Sequence, residues 1–198
     1  MDYRVFRAID GFSRQHAWLA HGANRVETIG VVLYAVAVVV LWLAADPGGE
    51  RTFKVAALGG AVSGGLALLA NRLIASAWER PRPYEAHPGV YHLTSTHDPS
   101  FPSDHASAAF AIAVAILLIA GRVGWIFLAG AAVIAFGRLL IGAHYPGDVL
   151  AGAAIGTAVA LAVATLGRSA IERAVVLLEP VSDPAAARFH RAVRRRAG

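Results

Sequence analysis

Along the chain, long apolar runs are separated by short polar breaks. Five stretches, 28–45, 53–77, 103–120, 125–143 and 148–167, approach the ~20 mostly apolar residues that cross a bilayer as a helix. Residues 1–26 have a different pattern: Phe6, Ile9, Phe12, Trp18 and Leu19 are interspersed with Arg4, Arg7, Asp10 and Arg14. That predicts an amphipathic helix lying on the membrane surface rather than crossing it. The segment lacks a long apolar core and a small-residue cleavage site, so a cleaved signal peptide is not expected. The predicted fold class is all-α: a polytopic membrane helix bundle of about five transmembrane helices plus the N-terminal interfacial helix. One membrane-embedded domain is expected over 1–198, with 1–26 interfacial, 28–167 transmembrane and 168–198 a basic cytoplasmic tail.

Composition agrees, since 57% of the 198 residues are hydrophobic. There are no cysteines, which removes disulfides and thiolate metal sites. The net charge of +5 is concentrated in the tail, at Arg188, Arg191, Arg194, Arg195 and Arg196. A basic tail after a last span marks the cytoplasmic side and anionic headgroups; without interleaved aromatics beyond Phe189, nucleic acid is not an expected partner. With the tail inside, Arg51, Lys54, Arg122, Arg168 and Arg173 fall inside too, while the outer side keeps Arg4, Arg7, Arg14 and Arg25. The 78–102 loop and the turn around His144 then share the outer face of a cell membrane, where they can meet.

Both segments carry charge that an apolar bundle does not need. The run Gly137-Arg138-Leu139-Leu140-Ile141-Gly142-Ala143-His144-Tyr145-Pro146-Gly147-Asp148 places Arg, His and Asp between two apolar stretches. Charged groups cost ~2.5–3.5 kcal/mol each at mid-bilayer, so they point to function by default. Arg offers a fork for phosphate, His a nucleophile or proton carrier, and Asp a means of orienting the imidazole. A snorkelling Arg and a His in an interfacial turn would leave the same pattern. Upstream lie Arg80-Pro81-Arg82-Pro83 and Phe101-Pro102-Ser103-Asp104-His105, the latter opening another apolar stretch.

These residues resemble the type 2 phosphatidic acid phosphatase superfamily, whose pattern is K-x6-R-P, then P-S-G-H, then S-R-x5-H-x3-D. The third motif matches from Arg138 through His144 to Asp148, with Gly137 in place of Ser. The second reads Pro102-Ser103-Asp104-His105, with Asp for Gly, and the first keeps Arg82-Pro83 but has Ala75 where Lys belongs. Within the family, the Phe-Pro-Ser-Asp-His form, Arg-Pro-Arg-Pro-Tyr and the short length look like the bacitracin-resistance type of undecaprenyl diphosphatase. The resemblance implies hydrolysis of a polyprenyl diphosphate through a phosphohistidine on His144. In that scheme Asp148 orients the nucleophile, His105 is the general acid, and Arg82, Arg138 and Ser103 hold phosphate without a cofactor or metal. A phosphatidylglycerophosphate or phosphatidate phosphatase would show the same residues.

Residue by residue, Ser103 occupies an N-cap position, where free backbone N–H groups favour an anion. Pro146 suits the first position of the next helix, which puts Asp148 in its first turn, in reach of a His144 nitrogen. Asp104 would repel phosphate and is expected to cap its helix or bridge Arg80, at the edge of the phosphate-binding set. Arg80 and Arg72 are the candidates to replace the missing lysine; Arg72 also has the option of pairing with Asn71 or snorkelling. His87, His92 and His97 in the outer loop are not expected to bind metal, since zinc needs three or four converging ligands. A small anion transporter is the competing class, but the charges gather at one face instead of along a path. Lipid phosphate and the bilayer are the expected partners; oligomeric state is open.

Overall fold

The computed structural model describes residues 2–46 and 48–197; within them the side chains of Glu27, Thr28, Val31, Arg194, Arg196 and Ala197 are outside the description. It is helical, with no strand among the described residues. The helices are α1 (Asp2–Gln15), α2 (Ala17–Leu43), α3 (Thr52–Ala75), α4 (Pro83–Ala86), α5 (Asp104–Ala120), α6 (Arg122–Leu140), α7 (Pro146–Leu166) and α8 (Arg168–Ala197). Three of them, α3, α6 and α7, are long and apolar enough to cross a membrane; the apolar segments 32–43 and 104–120 are shorter. Leu33, Val36, Leu69, Leu73, Ile126, Val133 and Leu150 are exposed along the bundle and form its lipid-facing surface.

α5 is the central helix and packs against α3, α6 and α7. Its buried face is almost all alanine (Ala106, Ala109, Ala111, Ala113 and Ala115). Gly152 and Gly156 of α7 meet that face: a Cβ at Gly156 would lie 2.2 Å from the Ser107 carbonyl oxygen. Small residues let membrane helices approach closely, where van der Waals contact replaces the hydrophobic effect. The α3 C-terminus, the α5 N-terminus, the α6 C-terminus and the α7 N-terminus consequently gather at one end of the bundle. Gly142, at φ +73°, ends the turn after α6 there.

The N-terminal segment differs from the pattern reading. The helix break falls at His16, so residues 17–26 belong to α2 and the surface helix is only 2–15. Periodicity alone could not place that break, because the residues on either side are equally helix-compatible. The basic segment after 167 forms the helix α8, laid across the bundle end opposite the charged turn. Lys54 bridges to Asp183 at 2.7 Å and Glu179 at 3.2 Å, Arg51 pairs with Glu179 at 2.8 Å, and Ile171 and Val175 are buried beneath. Hydrogen bonding to Arg51 holds the Glu179 carboxyl down at about 2.

Candidate active site

The turn between α6 and α7 buries His144, and its two ring nitrogens face different partners. Nδ1 lies 2.7 Å from the Ser100 carbonyl oxygen, which can only accept, so Nδ1 carries the hydrogen. Nε2 is therefore the basic nitrogen, and it faces Arg82 Nη1 at 3.3 Å and Arg138 Nη2 at 3.4 Å. Burial pushes the His144 pKa well below its ordinary value, and the Arg138 and Arg82 charges push it the same way. The ring is neutral and its lone pair is presented to a positive cavity.

That cavity, of about 120 Å³, is lined by Arg82, Arg138, His105, Asp104, Asp98 and His144 among others. Arg82 is fixed by four contacts: its Nη2 donates to Asp98 Oδ2 at 2.7 Å, Nε to the Asp98 carbonyl at 3.0 Å, and Nη1 to the Ala143 carbonyl at 2.9 Å as well as facing His144. Burial alone would raise the Asp98 carboxyl, but a hydrogen bond from Thr96 and the Arg82 charge outweigh it and hold the pKa below the usual value. Ser103 stands at the α5 N-cap position, yet its hydroxyl makes no cap bond and is buried without a hydrogen-bond partner. A buried hydroxyl in that state costs ~1–3 kcal/mol, a cost that a bound oxyanion would remove.

The structure brings His144, His105, Arg82, Arg138 and Asp104 together around one cavity, with Ser103 at the adjoining helix start. It treats four expectations differently. Asp148 Oδ2 is 3.9 Å from His144 Nδ1, too far for a hydrogen bond; the carboxylate instead accepts from Ser100 Oγ at 2.6 Å, the Tyr145 amide at 2.9 Å and Arg80 Nη1 at 2.5 Å. Arg80 thus points away from the cavity: it pairs with Asp148 and with Asp2 at 2.7 Å and stacks on the Tyr145 ring at 4.0 Å. Arg72 lies on the exposed face of α3, away from the cavity lining. Asp104 neither caps its helix nor meets Arg80; it accepts from Asn71 Nδ2 at 2.7 Å. A single position in α3, a rotation of about 100° from Asn71 to Arg72, decides which side chain looks inward.

Sequence reasoning missed Ser100, Asp98 and Asn71, and the docking of α1. Asp2 also accepts from the Gly147 amide at 2.8 Å, Phe6 is fully buried near Tyr145, and Tyr3 stacks on His87. Asp98 beside Pro99 is the one signal that was available, as a carboxylate within the arginine-bearing loop. His92 stacks on Tyr84, and no group of three His, Asp or Glu residues that could hold a metal occurs among the described residues.

A buried imidazole facing two guanidinium groups, at one end of an apolar helix bundle, suits transfer of a phosphoryl group from a lipid, the chemistry of a membrane-embedded phosphatase. The chain belongs to the PAP2 superfamily, whose description matches residues 55–171. It is 32% identical over 150 residues to the undecaprenyl-diphosphatase BcrC of Bacillus subtilis, covering 76% of each chain. It is 35% identical over 124 residues to the decaprenylphosphoryl-5-phosphoribose phosphatase of Mycobacterium tuberculosis, covering 61% of this chain and 64% of that one. The crystal structure of Aquifex aeolicus LpxE superposes with a TM-score of 0.63 at 24% identity, over 80% of this chain and 92% of the other, a likeness of fold. The protein is accordingly a hydrolase acting on lipid phosphates.

Proposed function

We propose that the protein hydrolyses a polyprenyl diphosphate, undecaprenyl diphosphate foremost, to the monophosphate and phosphate. His144 Nε2 attacks the terminal phosphorus, the bond to the bridging oxygen breaks, and His105 gives that oxygen a proton. Water then attacks the phosphohistidine, returns its proton to His105 and frees His144. Arg82, Arg138 and the Ser103 hydroxyl bind the transferring oxygens, so most of the catalysis is preorganised charge. The observation that carries this reading is the orientation of His144, with Nδ1 tied to Ser100 and Nε2 between the two arginines.

Two further observations favour a long apolar chain on the substrate. A cavity of about 330 Å³, lined by Tyr34, Gly64, Gly65, Leu68 and Ile112, shares Asp104 and His105 with the charged cavity. The two relatives named above act, by their names, on undecaprenyl and decaprenyl compounds. The basic α8 end suggests that the site opens on the extracytoplasmic side of the cell membrane.

The test is phosphate release by purified protein in EDTA, comparing undecaprenyl diphosphate, phosphatidylglycerophosphate and phosphatidate, with rapid-quench trapping of labelled phosphate. Preference for the diphosphate, with label on histidine that His144→Ala abolishes, is the expected result. Loss of turnover in EDTA with recovery on zinc, or label persisting in His144→Ala, would overturn the mechanism. For orientation, a cysteine at Ser95 should react with an impermeant thiol reagent in intact cells and one at Ser182 should not; the reverse would invert the topology.

A further inference from the structure

Ser100 has no place in the family motifs, yet all three of its polar atoms are committed within the site. The residue is fully buried. Its amide donates to the Arg80 carbonyl at 2.8 Å, its hydroxyl donates to Asp148 Oδ2 at 2.6 Å, and its carbonyl accepts from His144 Nδ1 at 2.7 Å. The Arg80 side chain returns to the other Asp148 oxygen, Oδ1, at 2.5 Å and reaches Asp2 of α1 at 2.7 Å. The order of contact from the nucleophile outward is therefore His144, Ser100, Asp148, Arg80, Asp2.

We propose that Ser100 is a positioning residue: Asp148 orients the nucleophilic imidazole through Ser100, not by direct contact, and Arg80 with Asp2 holds Asp148 from outside. The physical case rests on reach and on chemistry. At 3.9 Å Asp148 is beyond hydrogen-bond range of the ring, while the neutral carbonyl at 2.7 Å is well within it. A carbonyl acceptor fixes the Nδ1–H tautomer as well as a carboxylate does, and when Nε2 takes the phosphoryl group the Nδ1 hydrogen stays in place. But a loop carbonyl needs something to hold it, and the Asp148–Ser100 hydroxyl bond does so. Asp148 Oδ2, the oxygen nearer the ring, already accepts from the Tyr145 amide and the Ser100 hydroxyl, and Oδ1 accepts from Arg80, so the carboxylate is held by other donors than the ring. The scheme also gives α1 a role, since Asp2 braces Arg80 and the Gly147 amide together.

This inference rests on His144 being the nucleophile, and the experiment separates the two. Ser100→Ala keeps the carbonyl but frees it from Asp148. Outer partners that orient a metal-ligating imidazole are worth ~10–100-fold in affinity or activity, and the same scale applies to orienting a nucleophilic one. Ser100→Ala should lower kcat and the rate of phosphohistidine formation by that factor, with KM within about twofold because Arg82 and Arg138 are untouched, and Ser100→Thr should restore most of it. Combining Ser100→Ala with Asp148→Asn should cost no more than Asp148→Asn alone, since both cut one path. Arg80→Gln, outside the cavity, serves as a second probe if Ser100→Ala melts early, and should also lower kcat at constant KM. Wild-type kcat in both Ser100→Ala and Arg80→Gln, with His144→Ala inactive, would overturn the relay and leave the function standing. Additive losses in the double variant would likewise show Asp148 acting independently of Ser100. Full activity in His144→Ala would overturn both.

Discussion

Replacing Gly156 by alanine tests whether the α5–α7 seam sets the geometry of the site. A Cβ there would sit 2.2 Å from the Ser107 carbonyl oxygen, 2.9 Å from the Ala111 amide nitrogen and 3.1 Å from the Ser107 carbonyl carbon. All three are backbone atoms of α5, so no side chain can rotate aside. Relief requires the helices to part by roughly 1 Å, and overpacking of this kind costs ~1–3 kcal/mol. Alanine returns up to ~1 kcal/mol of helix propensity over glycine, so the net loss of stability is modest. Activity should fall much further. Asp148 lies two turns up α7, and its carbonyl accepts from the Ser103 amide at 3.1 Å across the same seam, as its carboxylate does from Ser100. A shift of about 1 Å in such a constellation costs on the order of 100-fold in rate. The assay is kcat for phosphate release, alongside melting followed by tryptophan fluorescence. Gly22→Ala is the control, because a Cβ at Gly22 of α2 meets nothing within 4 Å. If Gly156→Ala keeps its kcat within threefold while Gly22→Ala does the same, the seam does not govern the site and the reasoning fails.

Other outcomes follow from the same geometry. Gly65→Phe projects a ring into the apolar cavity, so it should weaken turnover of undecaprenyl diphosphate at limiting substrate and spare a short-chain prenyl diphosphate; equal effects on both would remove the cavity from substrate binding. His105→Ala should cost ~10²–10⁴-fold on phosphatidate, whose alkoxide is a poor leaving group, and less on a polyprenyl diphosphate; the opposite ranking would deny His105 the role of acid. Because the folded His144 pKa lies below its unfolded value of ~6.5, the unfolded chain binds more protons between the two values, and stability falls as pH drops below about 6.5. The wild type should therefore lose more melting temperature than His144→Gln between about pH 7.5 and about pH 5.5, and equal losses would show that the imidazole is not held neutral.

The apolar runs alone determined an all-helical membrane bundle, because continuous runs of ~20 residues fit helices that satisfy their backbone groups within the segment, whereas barrel strands are ~9–11 residues of alternating pattern. Spacing also determined that Arg138 and His144 share one helix end, and the parity of spans brought the 78–102 loop to the same end. These properties depend on length and order, which a one-dimensional pattern carries. Tertiary structure decided the rest, over distances near 3 Å. Whether Asp148 meets His144 or Ser100, and whether Arg80 faces phosphate or a carboxylate, depends on the path of the loop before α5, which has no periodicity to read. Asn71, not Arg72, faces Asp104 because the rotation of α3 is set by its packing on α5. The docking of α1 through Asp2 and Phe6 joins positions far apart in sequence, and no local rule specifies that pairing. The apolar cavity exists because Gly64, Gly65, Ala108 and Ala109 line the space between α3 and α5 with small side chains. In the sequence those residues are ordinary members of apolar runs, and the space between the two helices is what makes them a site.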